Sequence, residues 1–147
     1  MMKPNKQNYQ MLLFCGNTGL SIKYDEDNSI FQFNKLPVCK DIASFNYYAY
    51  VCTNDIILFF GGYDNCICSK SVHEYSIQKY KWTTFQNTLL STLYLCVATL
   101  NEEDSHIHII GGRDDKDMEL PTHIKTKVRA WDSSYLVIIC LFMIYLS

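Results

Sequence analysis

The strongest constraint in this sequence is a short apolar run that ends on glycine and then recurs. Met11-Leu12-Leu13-Phe14-Cys15 ends at Gly16, Ile56-Ile57-Leu58-Phe59-Phe60 at Gly61-Gly62, and Ile107-His108-Ile109-Ile110 at Gly111-Gly112. The last glycines stand at 16, 62 and 112, so the period is 46 and then 50 residues. A fixed period in that range is the mark of a repeat architecture. Runs of four or five near-continuous apolar residues suit strands buried on both faces. Glycine directly after such a strand signals a turn, because it accepts positive φ and lets another backbone come close.

The register continues past the glycines. In the second copy a polar turn, Tyr63-Asp64-Asn65, is followed by a variable loop to Lys70. Two expected strands come next, Ser71 to Tyr75 and Lys79 to Thr83. In the third copy the polar turn is Arg113-Asp114-Asp115 and the next strand is Thr122 to Val128. Trp82 and Trp131 fall 20 and 19 residues after Gly62 and Gly112, so the two tryptophans stand at one repeat position. In the first copy Cys15 replaces a glycine, Ser21–Tyr24 and Ile30–Phe33 are the later strands, and Phe31 or Phe33 stands in for the tryptophan. Strands Ser44–Val51 and Leu93–Leu100 link the copies. Each full copy then holds four strands, and four-stranded antiparallel repeats of this period are the blades of a β-propeller.

Composition agrees with an all-β fold. Of 147 residues, 48% are hydrophobic, enough for a buried core, and 14% are aromatic, which favours strands. Formal net charge is −2 and no basic stripe is present, so nucleic-acid binding has no electrostatic footprint. Lys125, Lys127 and Arg129 alternate and read as a solvated strand face. The seven cysteines are irregularly spaced and follow no secretory signal, so reduced thiols and a cytoplasmic location are expected.

An apolar strand, a glycine pair, a variable loop, an aromatic residue and then a tryptophan together resemble the kelch repeat. The resemblance is carried by Gly61, Gly62, Tyr75 and Trp82, and by Gly111, Gly112 and Trp131. The third copy departs from it, with Ile124 or Lys125 where the first aromatic belongs. On this reading residues 1–10 are a polar segment, 11–37 a degenerate blade, 38–86 and 87–132 kelch repeats, and 133–147 an apolar C-terminal segment. The resemblance implies antiparallel four-stranded blades of an incomplete kelch-type propeller. It also implies a protein that binds another protein rather than an enzyme. Propellers close with about four to eight blades. A chain with two good blades and one degraded one is expected to be truncated, divergent or completed by another chain. Its open blade faces are expected to favour oligomerisation.

The signature residues read as packing residues. Tyr and Trp supply large apolar area with a polar tip, and catalytic, metal and cofactor sites are all expected to be absent. Cys66 and Cys68 form a Cys-x-Cys with His73 nearby, but no second pair completes a zinc site. His106 and His108 share a strand face without a third ligand. Asp114, Asp115, Asp117 and Glu119 lack the central glycine of a calcium loop and read as a solvated tip able to select a basic partner. No phosphate-binding, nucleophile-elbow or zincin motif is present. The expected binding surface is therefore the loops after Gly16, Gly62 and Gly112, with Tyr63, Asp64, Asn65, Arg113, Asp114 and Asp115 as contact residues. A second reading places the chain on a membrane through residues 135–147, and a third, less favoured, makes it a propeller enzyme or a metal-binding propeller. Their uncharged run of 12 residues, Tyr135 to Leu146, is too short to span a bilayer and is expected chiefly to cap an open blade.

Overall fold

The computed structural model describes residues 10–53 and 55–131 of the chain. The apolar segment 133–147, and all but the last residue of the polar segment 1–10, lie outside these residues. The fold is all-β, built from antiparallel sheets, and it divides into two compact units, Met1–Ser44 and Phe45–Ser147.

The first unit is a three-stranded meander of β1 (Gln10–Cys15), β2 (Thr18–Asp25) and β3 (Ile30–Leu36), followed by one helical turn, α1 (Lys40–Ala43). Cys15 pairs with Thr18 across a two-residue turn in which Gly16 takes φ +54°. Glycine at the first position of such a turn lets its twist match that of the flanking strands. The next turn is built by Asp25, whose carboxylate accepts from the backbone N–H of Asp27 and of Asn28. The register places Met11, Ile22 and Phe33 in one row across the sheet and Tyr24 opposite Phe31. Met11, Leu13, Phe31 and Phe33 on this face are exposed. The Tyr24 and Phe31 rings pack 4.7 Å apart at a tilt, with Phe33 6.4 Å further along. Together these side chains make an exposed apolar patch on the sheet.

The second unit holds a complete four-stranded meander. Its strands are β4 (Ala49–Cys52), β5 (Ile56–Phe60), β8 (Val72–Ser76) and β9 (Lys81–Thr84), hydrogen-bonded in that order. A small hairpin, β6 (Tyr63–Asp64) and β7 (Ile67–Cys68), projects between β5 and β8. A second meander contains β10 (Val97–Asn101), β11 (His106–Ile110) and β12 (His123–Lys127), and ends in a 3-10 turn at Val128–Trp131. The alternation of strand side chains sorts these sheets cleanly. One face of the first sheet gives Ala49, Val51, Leu58, Phe60 and Val72, and one face of the second gives Ile107 and Ile109. These meet with Leu89, Leu93 and Cys96 in a single buried core. On the other face of the first sheet Tyr75 lies directly opposite Trp82, rings 5.1 Å apart, and Trp82 also packs 5.1 Å from Phe59.

The two copies in this unit close their loops with the same backbone bonds. Gly61 N–H donates to Ser71 O and Gly111 N–H to Thr122 O. Gly62 O accepts from Ser69 and Gly112 O from Leu120. The glycines also serve a contact that the sequence does not reveal. Gly62 N–H donates to the Leu93 carbonyl at 2.9 Å, and a Cβ on Gly61 would lie 2.0 Å from that same oxygen. The glycine pair of one repeat is where the backbone of the next repeat enters.

The tryptophans are not equivalent. Trp82 lies on a fourth strand, whereas Trp131 lies in the 3-10 turn, with no fourth strand beside β12 among the described residues. Val128 N–H bonds the Ser105 carbonyl and turns the chain over the end of the β10–β11 hairpin. The Trp131 indole then enters the core edge-on to Phe60 and Phe85, its Nε1 donating to Thr126 Oγ1 at 3.0 Å. The third copy thus spends its tryptophan on the neighbouring sheet.

Gly61 and Gly111 both take φ +68°, but among the described residues a Cβ on Gly111 meets nothing within 4 Å. Gly111→Ala should therefore lose about 1 kcal/mol, the left-handed cost alone. Gly61→Ala adds a backbone clash and should lose about 3 kcal/mol or more. Equilibrium urea unfolding of both variants checks this, and equal losses would contradict the role assigned to Leu93.

Candidate functional site

The second unit brings two of the three expected loops together. Backbone pairing of Asn46 with Tyr63, and of Tyr94 with Arg113, anchors each loop to the strand entry beneath it. The Tyr63 and Tyr94 rings stack at 4.8 Å, 28° from parallel, which joins the β6–β7 hairpin to the loop after Gly112. The loop after Gly16 is only the two-residue turn of the first unit and offers little surface.

The second of these loops is tied into a fixed shape by its own charges. Arg113 donates through Nη1 to Asp117 Oδ1 at 2.9 Å and through Nη2 to Glu119 Oε1 at 3.0 Å. Tyr94 donates its phenol to the same Asp117 oxygen. Asp114 folds the loop back by accepting from the N–H groups of Lys116 and Met118, both at 2.9 Å. Asp117 takes φ +59°, which a short polar side chain tolerates. The hydrogen bond to Asp117 pushes the Tyr94 phenol up to about 12. The bonds from Tyr94 and Arg113 hold the Asp117 carboxyl below its ordinary range. A raised phenol contributes stability that is complete below pH 10 and fades as the pH climbs toward 12. A lowered carboxyl contributes stability present above its ordinary value of 3.8 and lost as acid protonates it below that. The loop is locked across the whole neutral range.

The hairpin carries strain instead. Its central residues, Asn65 and Cys66, take φ +40° and +81°. Two positive values in a two-residue loop define a turn type that favours Asn-Gly, so Cys66 stands where glycine belongs. Its side chain bonds the Tyr63 phenol and raises that group's pKa. Burial raises the Cys68 thiol. Among the described residues the cysteines are reduced thiols, and no group of three or more His, Cys, Asp and Glu side chains can hold a metal ion. His73 lies on β8 with Nδ1 3.1 Å from Thr84 Oγ1. Asp117 and Glu119 are committed to Arg113 rather than converging with Asp114 and Asp115 on a cation site.

The geometry is thus an aromatic pair flanked by two polar loops. Five carboxylates, Asp64, Asp114, Asp115, Asp117 and Glu119, stand against two cations, Arg113 and Lys116. The architecture has a known counterpart. This chain shares its fold with YjhT. The superposition covers 77% of this chain and 36% of YjhT, with a TM-score of 0.55 and 12% sequence identity. The chain therefore spans about a third of that protein's length. YjhT is one of 101 solved chains that match, so the likeness does not rest on a single superposition. No protein-family model and no curated protein matches the sequence. Among the described residues no helix is long and apolar enough to cross a membrane.

Sequence reasoning places Tyr63, Asp64, Asn65, Arg113, Asp114 and Asp115 at the surface of one unit, on two loops that the structure joins. It misses Tyr94, which it assigns only to a linking strand. Its counterpart in the preceding copy is Asn46, which pairs with Tyr63 as Tyr94 pairs with Arg113, so the repeat carries no aromatic signal at this place.

Two measurements test this arrangement. A spectrophotometric phenol titration should show one tyrosine near pH 12 that Asp117→Asn returns toward 10; an unmoved titration would remove the Tyr94–Asp117 bond. Cys66→Gly should stabilise the fold by about 0.5 to 1 kcal/mol in urea unfolding, because it relieves a positive-φ side chain.

Proposed function

We propose that this chain is a kelch-type propeller protein without catalytic activity, and that it binds another protein through the β6–β7 hairpin and the Arg113–Leu120 loop. The observation that carries the reading is the Tyr63–Tyr94 stack, which makes one surface from loops of two successive repeats. Loops held on a rigid sheet scaffold are where binding concentrates. Aromatic and arginine side chains are the residues that anchor protein interfaces. The kelch reading is supported by the repeated glycine pairs, the Tyr75–Trp82 cross-strand pair and the four-stranded meander. In this reading the sheets are blades, and the exposed apolar face of the first unit is a blade face that a further chain covers.

The excess of carboxylates over cations on the two loops favours a basic partner segment. Asp114 has its Oδ1 occupied by the loop backbone, while Asp115 is exposed and free to act on a partner through its charge. Rim charges act chiefly on association rate and its salt dependence.

Asp64→Lys with Asp115→Lys should slow association with a captured partner about tenfold and flatten its dependence on ionic strength. Tyr63→Ala should instead accelerate dissociation. Proximity labelling from the intact chain identifies the partner, and surface plasmon resonance separates the two rates. A partner whose binding ignores all three substitutions would place the interface elsewhere.

A further inference from the structure

The outward face of the second meander in the Phe45–Ser147 unit is not part of the loop surface. Register places Val97 and Thr99 of β10, His106, His108 and Ile110 of β11, and His123, Lys125 and Lys127 of β12 on it. Within this face His108 Nδ1 and His123 Nε2 approach to 2.8 Å, with the two rings 16° from parallel. The two residues are not directly opposite: His108 pairs with Lys125 and His123 with Ile110. They meet on the diagonal, which long and aromatic side chains can bridge.

We propose that His108 and His123 form a two-imidazole site for a divalent transition-metal ion of tetragonal preference, copper(II) or nickel(II). Four observations carry this. First, the two nitrogens already stand side by side: cis ligands about 2.0 to 2.1 Å from a metal at a right angle lie about 2.9 Å apart, a span the rings reach from their hydrogen-bonded contact by turning. Second, the positions are preorganised: both residues sit in a continuous five-pair ladder between β11 and β12. Third, the obvious competing cation is drawn away. Lys125 lies across from His108 on the same face, but its Nζ donates to Asp104 Oδ2 at 3.1 Å. Fourth, the three strands put neither thiolate nor carboxylate on this face, whose other side chains are Val97, Thr99, Asn101, Ile110, His106 and lysines, and the Asp104 carboxylate that reaches it is engaged by Lys125 and His106. Imidazole ligands without oxygen anions exclude calcium and magnesium, and a pair without two further protein ligands is not a structural zinc site. Imidazole suits copper and nickel, and the remaining coordination positions open to water.

The protons balance without a co-reactant. Between two neutral imidazoles one nitrogen donates and the other accepts. On metal binding the donating ring moves its proton to its other nitrogen, and both facing lone pairs turn to the ion by rotation of the exposed rings. No redox step is involved. His106 holds Asp104 through Nδ1, so it could offer only Nε2, as a single imidazole rather than half of a chelating pair.

The test uses the full chain in a non-chelating reductant, with nickel(II) as the probe. Side-chain NMR signals of His108 and His123 should broaden together at the first equivalent, before those of His106. By calorimetry, His108→Asn and His123→Asn should each weaken nickel binding about tenfold or more, as expected when a chelate becomes a single contact. His106→Asn and the double variant Cys66→Ser, Cys68→Ser should leave it unchanged. First broadening at His106 or around the Cys66–Cys68 hairpin would overturn the proposal. So would wild-type affinity in either His108→Asn or His123→Asn. The broadening pattern is read on the unsubstituted protein, so it decides the matter even if a variant folds poorly.

Discussion

Everything in the larger unit depends on one close approach between backbones. The carbonyl of Leu93 reaches the N–H of Gly62 and occupies the space a Cβ on Gly61 would need. Leu93 is fully buried, and its own N–H is held by Ser69. A single residue at the start of one repeat is therefore gripped from both ends of the preceding repeat's loop. That grip sets the position of Tyr94, and through it the stack with Tyr63 and the bond to Asp117. Hydrophobic burial between the sheets supplies the stabilisation, but it is not directional. The glycine contact is directional, and it decides where the second sheet starts.

The same logic separates the two kinds of loop. The Arg113–Leu120 loop is stiffened by a guanidinium shared between two carboxylates and by a phenol on one of them. The two carboxylates are exposed, so the value of their ion pairs is geometric more than energetic. The β6–β7 hairpin is short and holds a non-glycine residue at strongly positive φ. A stiff acidic loop and a strained hairpin, joined through stacked rings, form a surface whose shape is set before any partner arrives. Preorganisation of this kind lowers the ordering cost of binding.

Much of the fold is legible in the sequence because strands write themselves in period and punctuation. Ile56–Phe60 has the bounds expected from its apolar run, and the strands at Val72, Lys81, His106 and His123 lie within two residues of expectation. The linking strands are shorter than the runs suggest. Tyr47 and Leu95 take φ +57° and +54°, and each breaks the extended run ahead of β4 and β10. Apolar composition alone cannot show such a kink. The tryptophans mislead for a related reason. Their spacing from the glycine is preserved, but the role of Trp131 is set by the path of the chain after β12, which turns instead of pairing. Alternation along one strand matches His108 with His106, whereas its nearest ring is His123, fifteen residues on. That partner is visible only once the register between β11 and β12 is known.

The contrast between Gly61 and Gly111 also bears on what a repeat motif records. The two positions have the same backbone angle but different neighbours among the described residues, so one letter answers two demands. At 61 the backbone of the next repeat stands where a side chain would go. At 111 the described residues ask for glycine only through the local angle. A signature residue of one copy is therefore partly written by the copy that follows it.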